Sequence, residues 1–150
     1  LGYADGVFII DSADTSPRLL REKCYFPAIS PDGRQTACYF MDWEDGRVWN
    51  IALVDNASGD LITKIKVPIP VFERQIRFHP TGKYLTQIYT NGESLQMLLM
   101  PLDGSKHYVI EGLGKGSSNL PEWSPDGKRF VYPEIHETHD MVMFSDLSGN

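Results

Sequence analysis

Apolar residues along this chain come in short bursts separated by polar, glycine- and proline-bearing stretches. "TACYF", "YLTQIY" and "RFVYP" are followed after a polar loop by "RVWNIALVD", "SLQMLLMPL" and "DMVMFSDL". The bursts are rich in aromatic and β-branched residues, and no capped apolar pattern of period 3.6 is long enough for a helix, so the spacing predicts an all-β fold. Segments such as "IALV" and "MLLM" are apolar at consecutive positions, which predicts strands covered on both faces.

The tetrapeptide "SPDG" stands at 30–33 and 124–127, with "HPTG" at 79–82, so the anchors are 49 and 45 residues apart. Each is preceded by a short apolar approach ("YFPAI", "RQIRF", "NLPEW") and followed by a basic residue, Arg34, Lys83 or Lys128, and an apolar strand. Pro presets φ at the second turn position and Gly supplies positive φ, so each tetrapeptide predicts a tight antiparallel corner. "HPTG" keeps the backbone-setting Pro80 and Gly82 and loses the acid, which a catalytic or phosphate-binding loop would not tolerate.

A covered four-stranded unit of this period is the signature of a propeller blade. The expected organisation is one β-propeller segment over 1–150 made of antiparallel four-stranded blades, two full and two partial. Residues 1–25 would hold the outer strands of a preceding blade, 26–69 and 70–116 the two complete blades, and 117–150 a final partial blade.

These repeats resemble the TolB-like, WD40-like β-propeller family on "LPEWSPDGKRFVY", "FPAISPDGRQTACYF" and the more degenerate "IRFHPTGKYLTQIY". The order "PLDGSKHYVIEG", "PEWSPDGKRFVYPE", "DMVMFSDLSG" is similar to the C-terminal sensor propeller of bacterial membrane-anchored Ser/Thr kinases or winged-helix regulators. The resemblance implies a non-catalytic module for protein or ligand binding, a sensor or scaffold part of a larger protein, in a periplasmic or extracytoplasmic setting. Two alternatives come with the family: the gating propeller of a prolyl-oligopeptidase-type serine peptidase, and a periplasmic TolB-like scaffold.

Twenty acidic against 14 basic residues give a formal charge of -6 without any run of like charge, which argues against a nucleic-acid footprint. No apolar stretch is long enough to span a bilayer, and the N-terminus lacks an initiating Met and a basic signal-peptide region. The chain is therefore expected to be a segment of a longer protein, with the remaining blades supplied by upstream sequence or by another copy. For Cys24 and Cys38 the residues leave two states open, free buried thiols or one disulfide.

No metal, cofactor or catalytic residue is expected. "PEIHETHD" at 133–140 gathers imidazole and carboxylate, but "HETH" is not the helical zinc arrangement and reads as a solvated loop. "EGLGKGSSN" lacks the phosphate-loop spacing and reads as a flexible crossing between units. No G-x-S-x-G elbow occurs. Trp123, Phe26 and Phe78 are expected to pack between units. The candidate partner-contact residues lie in loops: Trp43, Glu44, Asp45, Asn91, Glu93, His136 and His139.

Overall fold

The computed structural model describes residues 5–13, 16–68, 75–115 and 121–133. Among them are twelve strands and no helix: β1 (Gly6–Ile9), β2 (Arg18–Glu22), β3 (Cys24–Ile29), β4 (Gln35–Asp42), β5 (Val48–Asp55), β6 (Leu61–Lys66), β7 (Arg77–Phe78), β8 (Tyr84–Thr90), β9 (Leu95–Pro101), β10 (Tyr108–Ile110), β11 (Glu122–Trp123) and β12 (Phe130–Val131). They form four antiparallel sheets, two of four strands in the orders β3-β4-β5-β6 and β10-β9-β8-β7, and two of two strands, β1-β2 and β11-β12. The fold of the described residues is all-β, as the sequence pattern predicts.

The runs of consecutive apolar residues explain how the sheets stack. Successive side chains on a strand point to opposite faces. On β4 and β5, Ala37, Tyr39, Ile51 and Leu53 face a core shared with Ile76, Phe78, Leu85, Leu98 and Met100 of the next sheet. The alternate residues Cys38, Phe40, Ala52 and Val54 face Val7 and Leu20 of β1-β2. The far side of the β7–β10 sheet buries Ile88, Met97 and Leu113 against Trp123, Phe130 and Tyr132. Sheets that follow one another in sequence therefore pack face to face, and each four-stranded sheet is covered on both sides.

Polar groups cross these interfaces. The Tyr39 hydroxyl donates to Gln87 Oε1 at 2.7 Å, where both residues are fully buried. Trp123 Nε1–H donates to Thr86 Oγ1 at 3.1 Å. A hydrogen bond inside a packed apolar layer favours one relative placement of the sheets, because any slip would strand its donor and acceptor.

The corners have the geometry that Pro and Gly predict. Gly33, Gly82 and Gly127 have φ of 72°, 69° and 68°, and their N–H groups donate to the carbonyls of Ser30, His79 and Ser124. Ser30 Oγ–H donates to Asp32 Oδ1 at 2.6 Å, and Arg34 N–H donates to the same oxygen. Ser124, Asp126 and Lys128 repeat the arrangement. In the middle corner an imidazole and a hydroxyl replace serine and acid: His79 Nδ1 lies 2.8 Å from Thr81 Oγ1 and accepts the Thr81 N–H. The side-chain hydrogen bonds over the turn are thus rebuilt from different atoms.

Two expectations need correction. Phe26 is not an interface residue: it sits at a bulge in β3 with φ of 54° and is 47% exposed. The register partner of Phe78 and Trp123 in the first corner is Ile29, since Ile29 pairs with Thr36 as Phe78 pairs with Leu85 and Trp123 with Phe130. Nor is "EGLGK" a loose crossing: Leu113 is buried, and Leu95 exchanges backbone hydrogen bonds with Leu113 and Gly114. The strand expected over "DMVMFSDL" lies outside the described residues.

Cys24 and Cys38 form a disulfide between β3 and β4. It resolves the alternative that the sequence left open, and both cysteines are buried.

Candidate functional site

β4 ends at Asp42, and the chain turns back through residues 43–47 into β5. Asp42 anchors that turn: its Oδ1 accepts the N–H groups of Glu44 and Asp45, each at 3.2 Å, while Oδ2 takes a 2.8 Å ion pair from Lys64. The Lys64 ammonium is the main cause holding the Asp42 carboxyl below its ordinary value, and burial opposes it. Asp45 pairs with Lys66 at 3.5 Å in a far more exposed setting.

This anchoring projects Trp43 outward, 63% exposed, with the Arg47 guanidinium 5.0 Å from the ring centroid. Arg47 itself has φ of 63°, a left-handed backbone that costs a non-glycine residue roughly 1–2 kcal/mol. Glu44 is exposed at the tip of the same loop.

Beside Trp43 opens a cleft of about 620 Å³ whose wall includes Tyr25, Met41 and Trp49. These three lie at neighbouring positions of β3, β4 and β5, since Tyr25 pairs with Tyr39 and Met41 with Trp49. The Tyr25 and Trp49 rings meet edge to face at 6.2 Å. Glu22, Lys23 and Asp5 complete the wall. Lys23 crosses from β2 to β3, and so from one sheet to the next, with φ of 52° and its N–H bonded to the Asp5 carbonyl. Three left-handed non-glycine residues, Lys23, Phe26 and Arg47, thus surround or adjoin one cleft; such strain collects where surrounding structure holds a site in shape.

Asn91 and Glu93 occupy the β8–β9 turn, the counterpart of the Trp43 loop in the next sheet. Asn91 Oδ1 accepts the N–H groups of Glu93 and Ser94, so Asn91 shapes its own turn. Glu93 is exposed. Among the described residues no hydrogen bond or ion pair joins this turn to the Trp43 loop. His136 and His139 lie outside the described residues. The structure therefore brings Trp43, Glu44 and Asp45 together on one loop and leaves Asn91 and Glu93 on another.

Sequence reasoning missed Tyr25, Met41 and Trp49, because each lies within a strand rather than a loop: Met41 and Trp49 belong to strands whose other residues are mostly buried, and Tyr25 to a strand of mixed exposure. The available signal was the concentration of large aromatics on either side of "MDWEDGR", with Tyr39 and Phe40 before it and Trp49 after it. Asp42 was passed over as one acid among several, although it is the residue that sets the loop.

Among the described residues no group of His, Cys, Asp and Glu is arranged to hold a metal ion, and no helix is long and apolar enough to cross a membrane. No family model matches the sequence, and no curated protein is significantly similar to it.

Proposed function

We propose that the chain is part of a β-propeller of the TolB-like, WD40-like kind and serves as a non-catalytic binding module, a sensor or scaffold segment of a larger protein. The observation that carries the binding role is the cleft beside the exposed Trp43, walled by Tyr25, Met41 and Trp49 and held by the Asp42 turn. Its volume of about 620 Å³ falls within the range of ligand pockets, and its mixture of aromatic surface with a few charged groups is what such pockets use. Among the described residues no serine, threonine, cysteine or histidine lines it. Its occupant is a peptide or a segment of a protein partner.

The register of Ile29 supports the propeller. Phe78 is 7% exposed because the preceding sheet covers it, whereas Ile29 at the corresponding position is 59% exposed, the sheet before it having two strands, β1 and β2, among the described residues. Two further strands added beyond β1 would cover it and complete a four-stranded sheet. The buried Cys24–Cys38 disulfide supports an oxidising, extracytoplasmic setting.

A peptide panel titrated against wild type and Trp43→Phe, followed by tryptophan emission, tests the binding role. A saturable response in wild type that shrinks in the variant is expected, with no peptide or ester turnover. Turnover, or no response across the panel, overturns the reading. Sedimentation tests the ring: the chain should self-associate through its open face, and Ile29→Lys should weaken that association. A dilute monomer indifferent to Ile29→Lys removes the propeller argument.

A further inference from the structure

The cleft beside Trp43 presents three aromatic side chains, Tyr25, Trp43 and Trp49, and two carboxylates, Asp5 and Glu22. An aromatic face carries negative quadrupolar charge and attracts a cation placed within about 6 Å of its centroid. The protein already uses this attraction at the cleft, where the Arg47 guanidinium sits 5.0 Å from the centroid of Trp43, and again where the Lys64 ammonium lies 5.5 Å from the centroid of Phe40. The other charged groups around the opening are predominantly acidic. Asp5, Glu22 and Glu44 form no ion pair among the described residues, whereas Asp42 and Asp45 are taken by Lys64 and Lys66. Among the described residues of the cleft wall Lys23 is the one cationic side chain, set against two carboxylates there, in a chain of formal charge -6.

On the reading of this cleft as a peptide-binding site, we infer that its specificity is for a cationic side chain of the bound peptide, a lysine or methylated lysine. The alkyl stem lies along Met41 and the aromatic rings, and the charged head faces Trp43 and Trp49 with Asp5 and Glu22 at the rim. A neutral aliphatic side chain of the same shape gains the apolar contacts and forgoes the attraction to ring faces and carboxylates. An acidic one meets Asp5 and Glu22 with like charge.

The test uses the whole chain and two short peptides that differ in one atom type. One carries trimethyllysine and the other its neutral isostere, with carbon in place of the quaternary nitrogen. The nine-proton methyl singlet of either peptide reports binding by shift and broadening, so the readout needs no tryptophan in the protein. The trimethyllysine peptide is expected to bind about 2- to 30-fold more tightly than the isostere, the span that cation–π attraction covers from exposed to desolvated sites. Trp43→Ala should remove most of that preference, Trp43→Phe retain more of it, and Glu22→Gln reduce it. Trp43 and Glu22 are exposed, so these changes leave the core in place.

Equal binding of the two peptides overturns the inference while leaving the cleft a peptide site. Binding of neither overturns it as well, and the peptide panel then decides separately whether the cleft binds anything. A cation preference undiminished by Trp43→Ala also overturns it, since the discriminating charge would then lie elsewhere.

Discussion

Gly127 and Gly33 occupy the same position in equivalent corners, with φ of 68° and 72°, yet their surroundings differ. A Cβ on Gly33 would meet nothing within 4 Å, whereas one on Gly127 would lie 2.5 Å from His79 Cε1 and 2.9 Å from Nε2. Because His79 Nδ1 accepts the Thr81 N–H, the imidazole proton sits on Nε2, which donates to the Gly127 carbonyl at 3.1 Å. The ring cannot step aside cheaply, since it also meets Trp123 edge to face at 4.5 Å. Gly33→Ala should therefore cost only the left-handed backbone, about 1–2 kcal/mol. Gly127→Ala should cost the same plus the hydrogen bond and part of the ring contact, a further ~1–2.5 kcal/mol. Urea unfolding at unchanged m-value measures both. In a His79→Ala background the Gly127→Ala penalty should fall to that of Gly33→Ala, which a double-mutant cycle reads directly. Equal costs for the two glycines, or an undiminished Gly127 penalty without His79, would refute the idea that this corner is an inter-sheet contact.

Replacing Cys24 and Cys38 together by Ala, or reducing the disulfide, should cost about 3 kcal/mol by the entropy of a loop of this size, the cysteines being 14 positions apart; an unchanged urea midpoint in reductant refutes it. Asp42 titrates below its ordinary 3.8 in the folded chain, so its contribution is complete above that pH and is lost as pH falls through the lowered value. Asp42→Asn should flatten the acid limb of the stability curve, and an acid limb identical to wild type counts against the Lys64 pair. Phe78→Ala should cost about 3–5 kcal/mol, whereas Ile29→Ala at the corresponding position, measured at a dilution where the chain is monomeric, should change stability by under ~0.5 kcal/mol. Similar costs would mean that Ile29 is covered within the monomer.

The legible parts of this protein are those decided within a few residues. The corners at 30–33, 79–82 and 124–127 follow from Pro and Gly dihedrals. The doubly covered strands β4, β5, β8 and β9 follow from consecutive apolar residues, which only a two-sided environment tolerates. Of the candidate contact residues, Trp43 was legible because a tryptophan flanked by Asp42, Glu44 and Asp45 finds little apolar cover nearby. Phe26 misled because a large apolar side chain before a corner looks like Phe78, and nothing in "CYFPAI" shows that a bulge moves the register to Ile29.

Sequence by itself determined the β class, the antiparallel corners and the period that separates them, because φ limits and side-chain alternation act locally. Tertiary structure decided which faces meet. It joined Cys24 to Cys38, set His79 against Gly127, buried Phe78 while leaving Ile29 in water, and gathered Tyr25, Met41 and Trp49 beside Trp43. Burial and close contact depend on which sheet lies next in the stack, and that is a property of residues tens of positions away.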